Sequence, residues 1–275
     1  MKYFTIFFLL CVSFKSGCQQ LSGSSKSVYN LFHPTPKNLM RDFETDRPDA
    51  TESPITVDAG HFQCETDLFK TERSNINGIK TTTNFYNAAN IKTGITNSLD
   101  LQIIAETFTT TTIISNQGGT AKQTGFGTLT VRVKQNLWGN DMRKTAFAIL
   151  PFINIPVHAS DKFSGGIVFP FATQLGKGWD FGTQIETDLA SSPNTTNHHI
   201  DYSISATGSH SFIRNLDFFV EGVALRNNEI KSFEYFLNGG LVYNLEKNIN
   251  MDTGIYYGIK HISPKTFFVG LSFRI

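Results

Sequence analysis

Charge is scarce in this chain. Of its 275 residues only 17% are charged, with 24 Lys+Arg against 23 Asp+Glu and a net charge of +1, whereas soluble domains carry roughly 25%. That balance excludes a partner held by bulk positive charge, nucleic acid above all. Long apolar runs are scarce too. Beyond residue 14 nothing approaches the roughly 20 apolar residues of a membrane-spanning helix. The three cysteines are Cys11, Cys18 and Cys64, the first two at the extreme N-terminus, which leaves no disulfide framework. What the chain has in excess is Phe, 25 residues, with abundant Thr and Asn; a disordered chain would lack such aromatics. Few charges, many aromatics and no long apolar run indicate a β-protein whose apolar face meets something other than water.

Residues 1–18 read as a secretory leader. Lys2 supplies a positive start, Tyr3 to Phe14 an apolar stretch of suitable length, and Ser16-Gly17-Cys18 the small residues of a cleavage site. Cys18 either leaves with the leader or carries lipid, although Lys15 stands where a lipidation signal wants an apolar residue. Cys64 shares a face with Phe62, Thr66 and Leu68. It reads as a small residue on an apolar face, since a nucleophilic thiolate needs an activating neighbour.

Residues 19–57 are rich in Ser, Pro and Asp, hold Pro34, Pro36, Pro48 and Pro54, and show no period. They form a non-strand segment, either a periplasmic extension or a plug folded against the domain behind it. From residue 58 to 275 the sequence alternates apolar and polar residues with a period of 2, the strand signature. Leu129, Val131 and Val133 against Thr130, Arg132 and Lys134 is one instance; Ile200, Tyr202 and Ile204 against Asp201, Ser203 and Ser205 is another. The pattern predicts about twelve strands, near 59–72, 79–96, 98–112, 125–138, 145–156, 165–175, 179–189, 199–212, 216–226, 233–245, 249–259 and 265–275. Short turns at Asn97, Gly176-Lys177-Gly178, Ile213-Arg214-Asn215 and Glu246-Lys247-Asn248 alternate with longer polar loops at 113–124, 157–164, 190–198 and 227–232.

These features predict an all-β fold, a closed antiparallel transmembrane β-barrel in the outer membrane of a Gram-negative cell. Backbone groups in lipid must all be paired, so a sheet spans only if it closes. Short periplasmic turns and longer outer loops are usual for such barrels, and an even strand number puts both chain ends in the periplasm. Trp138, Trp179, Tyr202, Tyr243 and Tyr257 fit aromatic girdles at the two membrane interfaces. A water-soluble β-sandwich also alternates, but with fewer and shorter strands.

Phe43-Glu44-Thr45-Asp46-Arg47-Pro48-Asp49-Ala50-Thr51-Glu52-Ser53-Pro54, followed by Gly60-His61-Phe62-Gln63-Cys64-Glu65, resembles the opening of a known family of outer-membrane barrels. It is that of the MetA-pathway of phenol degradation, whose members are often labelled transporters. Lys92-Thr93-Gly94 through Leu101, Gly125-Phe126-Gly127-Thr128-Leu129 with Lys134, and Leu150-Pro151 through Pro156 resemble later family steps, with Thr128 where an Asp is usual. The resemblance spans most of residues 43–275. It implies passive movement of small hydrophobic or aromatic compounds across the outer membrane.

Asp46, Arg47, Pro48, Asp49 and Glu52 are expected at the barrel mouth as a plug or clamp, with Arg47 pairing with lumenal carboxylates; a solvated linker is the alternative. The inward positions Glu65, Asp67, Asp100, Glu106, Glu186, Asp188, Asp201, Glu221 and Asp252, against Arg132 and Lys134, line an acidic lumen. That lumen is either a cation-preferring pore or an internal polar network, and a partly filled lumen is favoured because unpaired buried charge is costly. No enzymatic role is expected. Ser203 and Ser205 share a face with His199 and His210 lies opposite, but no orienting group or nucleophile elbow accompanies them. His198-His199 with His61 makes a poor metal site, because adjacent residues of an extended chain point apart. Asn194-Thr195-Thr196 is a sequon without meaning in a bacterial outer-membrane protein. No cofactor is implied. The expected partners are outer-membrane lipid, an unidentified small permeant, and the assembly machinery, which would read the apolar alternation of Phe267 to Ile275 as its signal. The alternative function is a structural or adhesive surface barrel with a filled lumen.

Overall fold

The computed structural model of the chain describes residues 26–141, 144–157, 162–192 and 198–275. The leader, with Cys11 and Cys18, and the Asn194-Thr195-Thr196 sequon lie outside the described residues.

The strands are β1 (Phe62–Ile76), β2 (Ile79–Thr96), β3 (Leu99–Ile114), β4 (Thr120–Gly125), β5 (Leu129–Trp138), β6 (Thr145–Ile155), β7 (Ser164–Gly176), β8 (Trp179–Ser191), β9 (His198–Ile213), β10 (Leu216–Asn227), β11 (Ser232–Glu246), β12 (Ile249–Gly258) and β13 (Lys265–Arg274). Each pairs antiparallel with its neighbours, and β13 returns to β1 from Gln63↔Arg274 to Arg73↔Lys265, closing the sheet. β4 and β5 both pair with β3, so they are two halves of one stave and the barrel has twelve staves.

Three details differ from the sequence pattern. The first strand opens at Phe62 rather than residue 59, because Ala59 and Gly60 still belong to the preceding segment; Ala59 bridges Gly94 in parallel and Gly60 has φ +76°. Much of the expected loop 113–124 is strand, and the stave expected at 125–138 breaks at 126–128. There Glu106 accepts the Thr128 N–H on its carboxylate, and Gly127 donates to its carbonyl. The Thr-rich run before residue 113 hid the extension. Thr suits strands but gives no apolar alternation. Finally, β1 and β2 join through a two-residue Asn77-Gly78 turn, both at positive φ, the conformation a tight hairpin of this hand requires.

Both the start of β1 and the end of β13 lie at one end of the barrel, with the links 97–98, 177–178, 214–215 and 247–248 and the longer 139–144. This is called the turn end, and the opposite one the loop end. Alternation puts Ile103, Leu137, Ile204, Val220, Ile255 and Phe267 outside, all exposed, while Glu65, Asp100, Lys134 and Glu221 are buried inside. Trp138, Trp179 and Tyr243 ring the outside near the turn end, with Tyr202 and Tyr257 further along. Tyr202 faces Thr187, eight residues beyond Trp179 on β8. The two aromatic levels are therefore separated by about 26 Å along the strand, or roughly 20 Å along the axis at the usual tilt. The interior is not uniformly polar, because the inner face of β6 and β7 is apolar. Ala148 and Leu150 are wholly buried there and pack with Val168 and Phe152.

Candidate functional site

The chain ahead of β1 does not run away from the barrel. Two short 3-10 turns, Lys26–Val28 and Lys37–Leu39, lie at the turn end, and residues 41–58 then pass into the lumen and back out. Proline-rich and without a strand period, this segment cannot join the sheet. Its backbone polar groups are taken up instead by side chains of the wall.

The entrance is fixed by charges. Arg41 donates Nε to Asp141 (3.0 Å) and Nη1 to the Thr56 carbonyl (3.0 Å), while its own N–H donates to Asp58 (3.0 Å). Lys26 joins Asp141 at 2.8 Å. Burial would raise the Asp141 carboxyl, but Lys26, Asn97 and Arg41 outweigh it and hold the group below its usual range. From the last strand, Arg274 reaches Asp58 (3.3 Å) and the Arg41 carbonyl (2.9 Å). The segment leaves so close to β2 that a Cβ on Gly94 would lie 2.1 Å from the Asp58 carbonyl oxygen.

Deeper in, every predicted mouth residue has a partner on the wall or faces one. Asp46 accepts from Lys92 on β2 (2.5 Å) and Lys134 on β5 (2.6 Å), while its N–H donates to Glu65 on β1. Burial opposes ionisation of Asp46, but Lys134, Lys92 and Arg132 outweigh it and hold the carboxyl well below the carboxylate range. Arg47 donates Nη1 to Asp67 on β1 (2.5 Å) and Nη2 and Nε to Asp252 on β12 (2.7 and 3.1 Å). Asp67 and Asp252 are both register partners of Gly270 on β13, so the guanidinium lies across that strand and spans the seam where the barrel closes. Only glycine leaves the room, since a Cβ there would stand 2.2 Å from Nη2.

The Pro48 carbonyl accepts from the Tyr256 hydroxyl (2.6 Å). Glu221 on β10 accepts the N–H groups of Ala50 and Thr51 (3.0 and 2.8 Å), and Gln184 on β8 accepts that of Glu52 (2.7 Å). Glu52 pairs with Arg132 on β5 through both guanidinium nitrogens. Asp100 accepts the Val57 N–H (3.0 Å). Asp49 forms no ion pair among the described residues and faces Thr207 and Glu221; burial first, and then the charge of Glu221, push its carboxyl well up. Glu44 lies just below. Although lumenal water reaches it, the surrounding wall pushes its carboxyl up to about 7.

The family model described as "Putative MetA-pathway of phenol degradation" matches residues 45–275. The chain belongs to that family. The matched span opens at Thr45, so the lumenal segment from Asp46 onward lies within the family's own domain. Among solved structures the chain resembles an outer membrane channel from Pseudomonas putida F1 at 12% identity and TM-score 0.53, covering 84% of this chain and 99% of that one. The transport unit of the autotransporter AIDA-I from Escherichia coli is as similar, at 11% identity and TM-score 0.53, covering 86% and 93%. NanC porin follows at 9% identity and TM-score 0.52, covering 77% and 100%. A channel, an autotransporter unit and a porin stand at one level, so the likeness fixes an outer-membrane-type, porin-like barrel and no cargo. No curated protein sequence matches.

Of the remaining predicted residues of this family member, the carboxylates Glu106, Glu186, Asp188 and Asp201 lie toward the loop end. Glu186 and Asp188 lie on β8, and Asp188 faces Asp201 on β9 in register. Asp201 accepts the Asn228 N–H (2.8 Å) and stands 3.3 Å from His199. Glu106 sits at the break in the β4–β5 stave. His61 lies at the turn end, bonded to the Thr35 and Ile275 carbonyls, far from His198 and His199. Ser205 bonds Thr51, and His210 packs outside against Trp179 with its ring tilted. Sequence reasoning missed Lys92, although Ile91 and Thr93 alternate around it. It also missed Arg41, Arg274, Gln184 and Tyr256, whose roles depend on where the segment lies.

Between the segment and the turn-end halves of β6 to β12 the wall is not filled. A cavity of about 350 Å³ lies there, bounded by Phe43, Glu44 and Ile55 of the segment and by Ala146, Phe219 and Val242 of the wall.

Proposed function

We propose that this protein is a passive conduit in the outer membrane of a Gram-negative cell, admitting small hydrophobic or aromatic molecules, with residues 45–54 as the element that sets its aperture. The observation that carries this reading is a closed, lipid-compatible barrel whose lumen is narrowed by a polar segment and yet keeps a cavity beside it. The apolar inner face of β6 and β7 continues from that cavity and offers an apolar permeant a surface that the polar staves do not. The substrate class comes from the family description, and the orientation, turn end to the periplasm, from the placement of short turns and chain ends. Nothing in this reading asks for catalysis.

The second reading, a surface barrel that moves nothing, is favoured by the ion pairs that fix the segment on both sides of the lumen. Planar-bilayer conductance and liposome uptake of phenol separate the two. The conduit reading expects phenol uptake above empty liposomes and a larger conductance once residues 45–54 are deleted. Sealed bilayers and no uptake in either form would overturn it.

A further inference from the structure

The turn-end cavity has two kinds of wall. Ala146 on β6, Ala172 on β7, Phe219 on β10 and Val242 on β11 give it an apolar side, closed by Phe43 and Ile55 of the lumenal segment. The other side carries Glu44, Asp49, Asp180 and Asp217, with Lys144 as the single cation among the described lining residues outside the lumenal segment. None of these four carboxylates belongs to an ion pair among the described residues. Arg47, which also lines the cavity, and the deeper bases Lys92, Arg132 and Lys134 are all engaged by Asp46, Glu52, Glu65, Asp67 and Asp252. Among the described residues Asp217 accepts from the amide of Asn244 (2.8 Å) and Glu44 from the hydroxyl of Ser53 (3.2 Å). The Thr207 hydroxyl also lines the cavity and is buried.

Four carboxylates outside any ion pair among the described residues stand beside an apolar wall. Against them are Lys144 and an Arg47 already committed to Asp67 and Asp252, so the cavity favours a positive ligand. Carboxylates brought together under partial burial repel one another unless a positive group or protons relieve them. A cavity of about 350 Å³ is at the small end of ligand sites, which span roughly 300–1,000 Å³. A hydrated metal ion would leave its apolar side uncovered. A neutral aromatic would leave its carboxylates unrelieved. An ammonium group joined to a short apolar or aromatic body satisfies both.

We infer that the turn-end cavity is a binding site for small organic amines, taken with the ammonium toward Asp180, Asp217, Glu44 and Asp49 and the apolar body against Ala146, Ala172, Phe219 and Val242. The inference rests on the conduit reading and narrows it: the last station before the periplasm selects amines over neutral and anionic molecules of the same size. The carboxylate pair Asp180 and Asp217 supplies the discrimination from the wall, and Lys144 weakens it.

The test uses the full mature chain in nanodiscs of zwitterionic lipid, so that lipid charge does not gather the probe. Binding of 2-phenylethylamine is measured by calorimetry against 3-phenylpropionate, an anion of similar size. The amine is expected to bind at least tenfold more tightly. Asp180→Asn with Asp217→Asn should narrow that ratio several-fold, and Lys144→Gln should widen it. Each variant is first checked for folding by its heat-shifted migration on gels. Equal binding of the two probes by the wild-type chain overturns the inference, whatever the variants do, as does a ratio unmoved in folded variants. Phenol uptake by the wild-type chain reads the conduit separately. Uptake without amine preference defeats this inference alone, and amine binding without uptake of any probe defeats the conduit.

Discussion

The clasp formed by Arg47 across the closing seam lends itself to a quantitative test. Arg47→Ala removes three charge-assisted hydrogen bonds and leaves Asp67 and Asp252, both buried, facing one another over Gly270. Removing one partner of a buried ion pair costs about 3–5 kcal/mol, because a buried charge is left uncompensated. The Arg47 side chain keeps 17% exposure to lumenal water, so the lower figure applies, about 3 kcal/mol. For a chain of this size each kcal/mol moves the thermal midpoint by roughly 2–4 °C, giving a drop of roughly 6–12 °C. The midpoint is read as the temperature at which the compact gel band gives way to the unfolded one, at one fixed heating time because such unfolding is commonly irreversible.

Two companion variants separate the clasp from a general loss of packing. Gly270→Ala places a methyl group where the guanidinium lies, 2.2 Å from Nη2, and should reproduce most of the drop without touching any charge. Combined with Arg47→Ala it should add little, since both remove one interaction and coupled sites are not additive. A midpoint within 2 °C of wild type for Arg47→Ala, or full additivity of the pair, would refute the bridging role.

Acid should act on the same layer through Asp46. Its folded-state carboxyl is held below the unfolded value, so its contribution is present above about pH 4 and is lost as pH falls further. Wild-type midpoints should therefore drop more steeply than those of Asp46→Asn between pH 5 and pH 3, and parallel curves would contradict the docking of Asp46 on Lys92 and Lys134. At the other end of the chain, deleting residues 273–275 removes the paired N–H and carbonyl of Ile275 with Phe62 and the Arg274 contacts to Asp58 and Arg41. Folded barrel should then no longer be recovered from membranes, whereas Arg274→Ala should still assemble with a lowered midpoint. A wild-type yield of the truncated chain would refute a signal in the last strand.

The staves were legible because their physics is local. Lipid outside and polar groups inside impose a period of 2 on most strands, and the strand expected at 79–96 is observed as Ile79–Thr96. Where the period was absent the reading failed. The Thr-rich end of β3 gave no alternation, and the break at 126–128 depends on Glu106 bonding Thr128 from the neighbouring stave, a contact no local pattern carries. The inner face of β6 went unassigned for the same reason. Ala146, Ala148 and Leu150 alternate with Phe147 and Ile149, so both faces are apolar and the sequence does not say which is inside.

The lumenal segment was harder to place, because its bonds join residues up to 233 positions apart. Its composition offered one clue, charges of both signs in a stretch too rich in proline for a strand. That composition also bears on how such a segment can serve a conduit. An apolar plug would be held by its exclusion from water and would expose apolar surface on leaving. This one is held by carboxylates, guanidinium and ammonium groups, each of which water can solvate once the pair separates. Withdrawal therefore has a hydrated end state on both sides of every bond. It leaves behind a wall in which Lys92 still pairs with Glu65 and Asp100 still lies near Lys92 and Lys134, whereas Asp67 and Asp252 lose the guanidinium that held them. A segment docked by matched charge is thus one that water can solvate on leaving, and the carboxylates of Asp67 and Asp252 draw Arg47 back to the seam.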